Sequence, residues 1–372
     1  MDKKNKDLQP ETVENTVDVI TEPASVEETP VVSETVSAEE DLHGENLGDR
    51  VKSLSPGMTV LKRFFRSKLS IVGLVIIISL FLISFIGPLF SPWGEKQPDM
   101  SGKETLITQT IRYEVDGVEY VAYNVVVEYT NTNKYADLDG SHWLGTDDNG
   151  YDVFTRLMYG GRVSLTIGFI VVLLSTLLGV VFGGLAGYFG GKIDNIIMRI
   201  TDVLYCIPQL PIMLIFSAVF TGMGVAGIER LYYMMGILTL IGWAGTARLV
   251  RGQILSLREQ DFMLAAKCSG LSVKRKIFKH LVPNVMPQLI VSMTLGLGSI
   301  ILTEATLGYL GIGAPLGTAT WGAMIQAAAE SYNLNFLPNL WVPPGICITL
   351  AILAFNFVGD GLRDAFDPKM KR

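Results

Sequence analysis

The stretch SIVGLVIIISLFLISFIGPLF, Ser70 to Phe90, carries no charged residue. It is long enough to cross a bilayer as a helix, which takes about 20 mostly apolar residues. It lies too far from the N-terminus, and is too long, to be the apolar part of a cleaved leader. Five further stretches read the same way: 163–188, 196–221, 231–249, 286–307 and 341–358. The pattern predicts an all-α integral membrane protein with six transmembrane helices. Composition agrees: the 372 residues are 49% hydrophobic and only 18% charged, with mean hydropathy +0.37. A soluble domain carries about 25% charged residues, so an ordinary soluble fold is excluded.

Six spans put both termini on one side, and the basic residues say which. Lys62, Arg63, Arg66 and Lys68 precede the first span, within a basic juxtamembrane segment at 51–69. Arg248, Arg251, Arg258, Lys267, Lys274, Arg275, Lys276 and Lys279 crowd the segment between the fourth and fifth spans. Arg363, Lys369, Lys371 and Arg372 follow the sixth, in or beside a short C-terminal piece at 362–372. The 309–340 segment has no Lys or Arg. Both termini and the 251–283 loop are therefore expected in the cytoplasm of a multi-pass cell-membrane protein. The 91–161 and 309–340 segments are expected outside.

The net charge of −6 averages two unlike parts. Residues 1–47 hold 13 Asp/Glu and 3 Lys/Arg, against 23 and 27 in the rest. An acidic tail without aromatic residues cannot bury enough apolar surface to order itself, so 1–50 is expected to be a disordered cytoplasmic tail. Scattered basic loops form no basic face, which argues against nucleic acid as a partner. Residues 101–140 are different: IRYEVDGVEYVAYNVVVEYT alternates, is rich in Val and Tyr, and offers Asp116-Gly117 as a turn. A small β-rich extracytoplasmic insertion is expected there.

Within the second span Gly179, Gly183 and Gly187 recur every fourth residue, and Gly191 continues the series. One helix stripe of glycine lets a second helix approach closely. Pro208 and Pro211 interrupt the third span, and Pro343 and Pro344 open the sixth. The run GYLGIGAP after the fifth span is no nucleotide loop, lacking both a preceding strand and a following Lys. WGAMIQAAAE, Trp321 to Glu330, reads as a short helix returning toward the membrane. The chemistry census is sparse. His43, His142 and His280 are far apart in sequence, and no metal, cofactor or catalytic site is expected on this chain.

The segment REQDFMLAAKCSGLSVKRKIFKHLVPN, Arg258 to Asn284, is too polar to span. A short helix over 260–268 ends at Gly270, and a second over 273–281 is expected to end at Pro283. This segment resembles the ATPase-coupling loop of binding-protein-dependent ABC importer permeases. LGTDDNGYDVFTRLMYGGRVSL (Leu144 to Leu165), GYLGIGAP and FVGDGLRDAFDP (Phe357 to Pro368) resemble the second, C-type permease subunit of dipeptide and oligopeptide importers. The resemblance covers about 60–372 apart from the insertion. It departs from the family pattern at Leu264, where Glu is common, and at Tyr151, where Arg is common.

The resemblance implies a type I ABC importer permease core at 162–361. Phe262, Leu264, Ala265, Ala266, Gly270, His280 and Pro283 would then belong to the coupling loop. It implies a homologous permease as heterodimer partner, two ABC ATPase subunits that hold the ATP and Mg, and an extracytoplasmic peptide-binding protein. The chain itself would transport peptides and hydrolyse nothing. A permease for nickel or another small solute shares this architecture. An ATP-independent secondary transporter is disfavoured, because no span carries paired charges near its middle.

Overall fold

The computed structural model describes residues 56–106, 111–122, 127–225, 228–313 and 317–367. The acidic tail expected at 1–50 lies outside them. Helix α1 (Pro56–Phe64) leads to α2 (Lys68–Phe85), which Ser67 caps by accepting from the Ser70 N–H. A 3₁₀ turn, Gly87–Leu89, ends it. Four strands follow: β1 (Gly102–Leu106), β2 (Ile111–Val115), β3 (Val118–Ala122) and β4 (Val127–Asn131). β2 pairs antiparallel with β3 around Asp116 and Gly117, at φ 53° and 78°, the two left-handed residues of a tight hairpin turn. β1 pairs antiparallel with β4 in the same register.

The helical body holds α3 (Val153–Phe189), α4 (Gly191–Cys206), α5 (Gln209–Gly222), α6 (Ile228–Leu257), α9 (Val282–Tyr309) and α12 (Pro338–Phe366). Between α6 and α9 lie α7 (Asp261–Cys268) and α8 (Val273–Arg275), the latter running into a π turn, Lys276–Leu281. Between α9 and α12 lie α10 (Trp321–Ile325) and α11 (Ser331–Phe336). Among the described residues five helices are long and apolar enough to span a membrane, or six if α4 and α5 count as one.

The stretch 196–221, read as one span, is a broken helix pair and not one continuous helix. α4 and α5 meet at 81°. Pro208 disfavours the helical region at the residue before it, and Ile207 is extended (φ −80°, ψ 117°). The glycine contacts run Gly179 to Thr246, Gly183 to Ala247 and Gly187 to Ile254, so α3 and α6 are parallel. The bent pair therefore returns the chain from the end of α3 to the start of α6.

Packing fixes the remaining directions. Gly73 of α2 sits on the Ala354 carbonyl and Gly361 of α12 on Ser70, so these helices are antiparallel and close. Ser164 and Gly168 of α3 meet Glu304 and Ile301 of α9, again antiparallel. Leu165, Val172, Leu297, Ile301, Ala351 and Phe355 fill the space between α3, α9 and α12. One end of the body carries α7 and α8, the loop end. The other carries the strands, α10 and α11, the ribbon end. Many outer faces are apolar and uncovered, as at Leu69, Val75, Leu173 and Leu177, each more than half exposed. Apolar surface on this scale is stable in lipid, not in water.

Candidate functional site

The loop end carries a compact knob. After α6 the chain straightens at Gln260 (φ −80°, ψ 155°) and starts α7. It reverses at Gly270, whose φ of +66° lies in the left-handed region that glycine adopts without strain. Ser272 then caps α8, accepting from the Arg275 N–H. Met263, Ile277 and Leu281 are buried against Val250, Ile254, Val285 and Leu289, so the knob is seated on the ends of α6 and α9. Arg258 donates to the Gly187 and Tyr188 carbonyls at 3.3 and 3.2 Å. It thereby satisfies the open end of α3 with the sign of charge that a helix C-terminus favours.

The knob's outer surface is apolar. Phe262, Leu264, Val273 and Phe278 are 37%, 60%, 39% and 56% exposed. Lys267, Lys274, Arg275 and Lys279 stand exposed around them. Ala265 and Gly270 share this surface. Ala266 does not: it is buried with Met263 on the inner face of α7, a facing that the spacing alone did not resolve. His280 is half-buried, its carbonyl accepting from Asn284 Nδ2 at 2.6 Å. Pro283 does not end a helix. It sits in the first turn of α9, where a missing N–H costs nothing, and the chain passes through the π turn into α9.

Three of the four stripe glycines lie against α6. A Cβ on Gly179 would meet Thr246 and Ala247, one on Gly183 the Ala247 backbone, and one on Gly187 Ile254 and the Arg251 carbonyl. Gly191 is a correction. α3 stops at Phe189, Gly190 and Gly191 both take positive φ, and a Cβ on Gly191 meets nothing. The four-residue spacing ran past the helix it was read from.

The ribbon end is pinned by buried polar groups. His142 stacks under Trp93, with Nδ1 2.9 Å from Asp152 Oδ1 and Nε2 3.2 Å from Asp99 Oδ2. Asp152 also caps α3, accepting from the Thr155 N–H at 2.7 Å. Burial alone would raise the Asp99 carboxyl, but hydrogen bonds from Asn133, Ser101 and His142 outweigh it and lower it to about 2. Arg156 pairs with Asp147 at 2.7 Å and lies over the Tyr151 ring. Deeper, Ser164 donates to Glu304 and accepts from the Trp321 N–H, while Trp321 Nε1 donates to the Leu157 carbonyl. These bonds seat α10 against α3 and α9. No spacing in the sequence joins Leu157 and Ser164 of α3 to Glu304 and Trp321, which lie more than a hundred positions further on.

Residues 179–372 match the family model described as the binding-protein-dependent transport system inner membrane component. Residues 55–105 match the N-terminal TM domain of oligopeptide transport permease C. The oligopeptide transport system permease protein OppC of Bacillus subtilis (strain 168) is 38% identical, the match covering 86% of this chain and 92% of that protein. The dipeptide transport system permease protein DppC of the same strain is 37% identical, over 87% and 90%. A chain of the inward-facing MetNI methionine ABC transporter superposes with TM-score 0.44 at 18% identity, covering 57% of this chain and 96% of that one. The chain belongs to the binding-protein-dependent transport system inner membrane component family, and is a membrane-embedded transport subunit, not an enzyme.

Proposed function

We propose that this chain is one of two permease subunits of an ATP-driven peptide importer. The observation that carries the coupling role is the knob: Phe262, Leu264 and Phe278 stand exposed on a rigid base at one end of the body. Apolar side chains fixed on a soluble-facing loop are stable when a partner covers them. The partners are two ABC ATPase subunits, which hold the ATP and Mg. The knob faces the cytoplasm, as its lysines and arginines require, and both termini lie on that side. The ribbon end meets an extracytoplasmic peptide-binding protein, and a homologous permease completes the path. ATP-driven closure of the ATPases moves the knob, and the helices alternate between outward- and inward-open arrangements.

Reconstitution of the importer with its binding protein in proteoliposomes tests this reading. Peptide uptake is expected to require ATP, and Phe262→Asp with Leu264→Asp to abolish uptake while membrane insertion stays normal. Uptake at the wild-type rate by that variant would remove the coupling role. Uptake of nickel or another small solute in place of peptide would overturn the substrate class.

A further inference from the structure

At the ribbon end the helices enclose a cavity of about 400 Å³, open to one side. Its polar walls come from two regions far apart in sequence: Tyr135, Asp147, Asp148 and Arg156 before and at the start of α3, and Glu330 and Asn333 around α11. Asp147 and Arg156 neutralise each other. Asp148 and Glu330 have no Lys or Arg within ion-pair distance among the described residues, so the cavity is left negative. Asn333 is 5% exposed and donates through Nδ2 to Glu330 Oε2 at 3.2 Å. A carboxylate only accepts, so Nδ2 must face Glu330, and Oδ1 is the atom left over. That oxygen is buried without a donor. A buried acceptor without a partner is unfavourable, and its residue belongs to the cavity wall.

Tyr135 reports the same field. Burial, then the carboxylates of Asp148 and Glu330, push its hydroxyl above the ordinary phenol range. It is held at φ 53°, a conformation that few residues with side chains adopt. Arg230, also on the cavity wall, uses Nη2 on Ser217 and the Ile312 carbonyl, while its Nε is buried with no acceptor. Beside the cavity one side chain thus lacks a donor and another an acceptor. Among the described residues no three ligating side chains converge for a metal ion. An ammonium has three N–H donors, and Asp148, Glu330 and Asn333 all bring acceptor oxygens to the wall of this cavity.

We infer that this cavity receives a primary ammonium, the free N-terminus of a peptide handed over for transport, with Arg230 placed for the peptide's carboxylate. The inference rests on the peptide-importer reading above. The same ammonium chemistry is available from a lysine of the binding protein, and the test separates the two.

The test uses the assembled importer in lipid nanodiscs without binding protein, with dialanine, N-acetyl-dialanine and dialanine amide as probes for saturation-transfer NMR. Dialanine is expected to bind at least tenfold more tightly than its N-acetyl form. Asp148→Asn with Glu330→Gln, both isosteric, is expected to weaken dialanine about tenfold and to erase that preference. Dialanine amide is expected to lose affinity in the wild type but not further in Arg230→Gln. Equal binding of dialanine and N-acetyl-dialanine, with normal peptide uptake by the complete importer, would overturn this inference and leave the peptide reading standing. Failure of the complete importer to take up any peptide would remove both. Weakened docking of the binding protein to the double variant, with no dialanine signal in the wild type, would overturn the inference and give the carboxylates to a lysine.

Discussion

Gly183 of α3 lies against Ala247 of α6 so closely that a Cβ on the glycine would stand 2.9 Å from the Ala247 Cα and nearer still to its carbonyl oxygen. The obstacle is backbone, so no side-chain rotation relieves it. Gly183→Ala is expected to destabilise the subunit by about 1–3 kcal/mol, the usual range for overpacking. Gly252→Ala, where a Cβ meets nothing, is expected to be neutral or slightly stabilising. Thermal unfolding of the two variants in detergent checks the contrast. Equal midpoints would mean that α3 and α6 are not held at this distance.

Gly270 separates backbone strain from surface chemistry. Its φ is +66°, yet a Cβ there meets no atom of this chain. Gly270→Ala is expected to cost about 1 kcal/mol of local conformation and to retain much of the uptake. Gly270→Asp has a similar backbone cost and adds a charge to a surface that the ATPase would cover. Peptide-stimulated ATP hydrolysis is expected to survive the first change and to be lost in the second. Equal loss in both would assign the effect to the turn alone.

Leu264 is 60% exposed on the knob, so its replacement removes no internal contact of consequence. Leu264→Glu is expected to leave folding within about 0.5 kcal/mol of the wild type. A partner surface matched to leucine would be weakened by the charge, and co-purification of the ATPase is expected to fall. Unchanged co-purification would place the contact elsewhere on the knob.

The Asp99 carboxyl, lowered to about 2 from its ordinary 3.8, gives the ribbon end a defined acid limit. A carboxyl lowered by folding contributes stability that is complete above about pH 4 and is lost as the pH falls toward 2. Pepsin cleavage within the 87–152 segment is expected to rise across that window. Asp99→Asn is expected to flatten the pH dependence and to cost about 1–3 kcal/mol, since His142 and Asn133 each lose a charged acceptor. A cleavage rate independent of pH in the wild type would dismiss the network as an anchor.

What the sequence made legible was set by one-dimensional patterns. Long, mostly apolar runs located the helices, and Asp116-Gly117 located the hairpin turn. Boundaries were harder. α3 begins at Val153, ten residues before its apolar run, because Arg156 and Arg162 interrupt hydropathy while Asp152 caps the helix from outside it. Pro208 was visible, but a kink and an 81° break have the same signature in sequence. The exposed face of the knob was legible apart from Ala266, whose inward face depends on how α7 sits over Met263 and Ile277. Asn333 and Arg230 had no signal at all. An amide or a guanidinium becomes conspicuous only when its burial and its missing partner are known.

The strands carry a consequence of their own. In β1–β4 Leu106 pairs with Val127, and in β2–β3 Ile111 pairs with Ala122. Matched deletion of a residue pair from β1 and β4 would shorten that ladder and keep the register of the pairs that remain. Its base, Gly102 opposite Asn131, is a single neighbouring pair, whose Cα atoms such pairing holds about 5 Å apart. The chain thus leaves the helical body at Gly102 and comes back beside it at Asn131, one strand spacing away, so the body's neighbouring segments are held together whatever length of chain lies between.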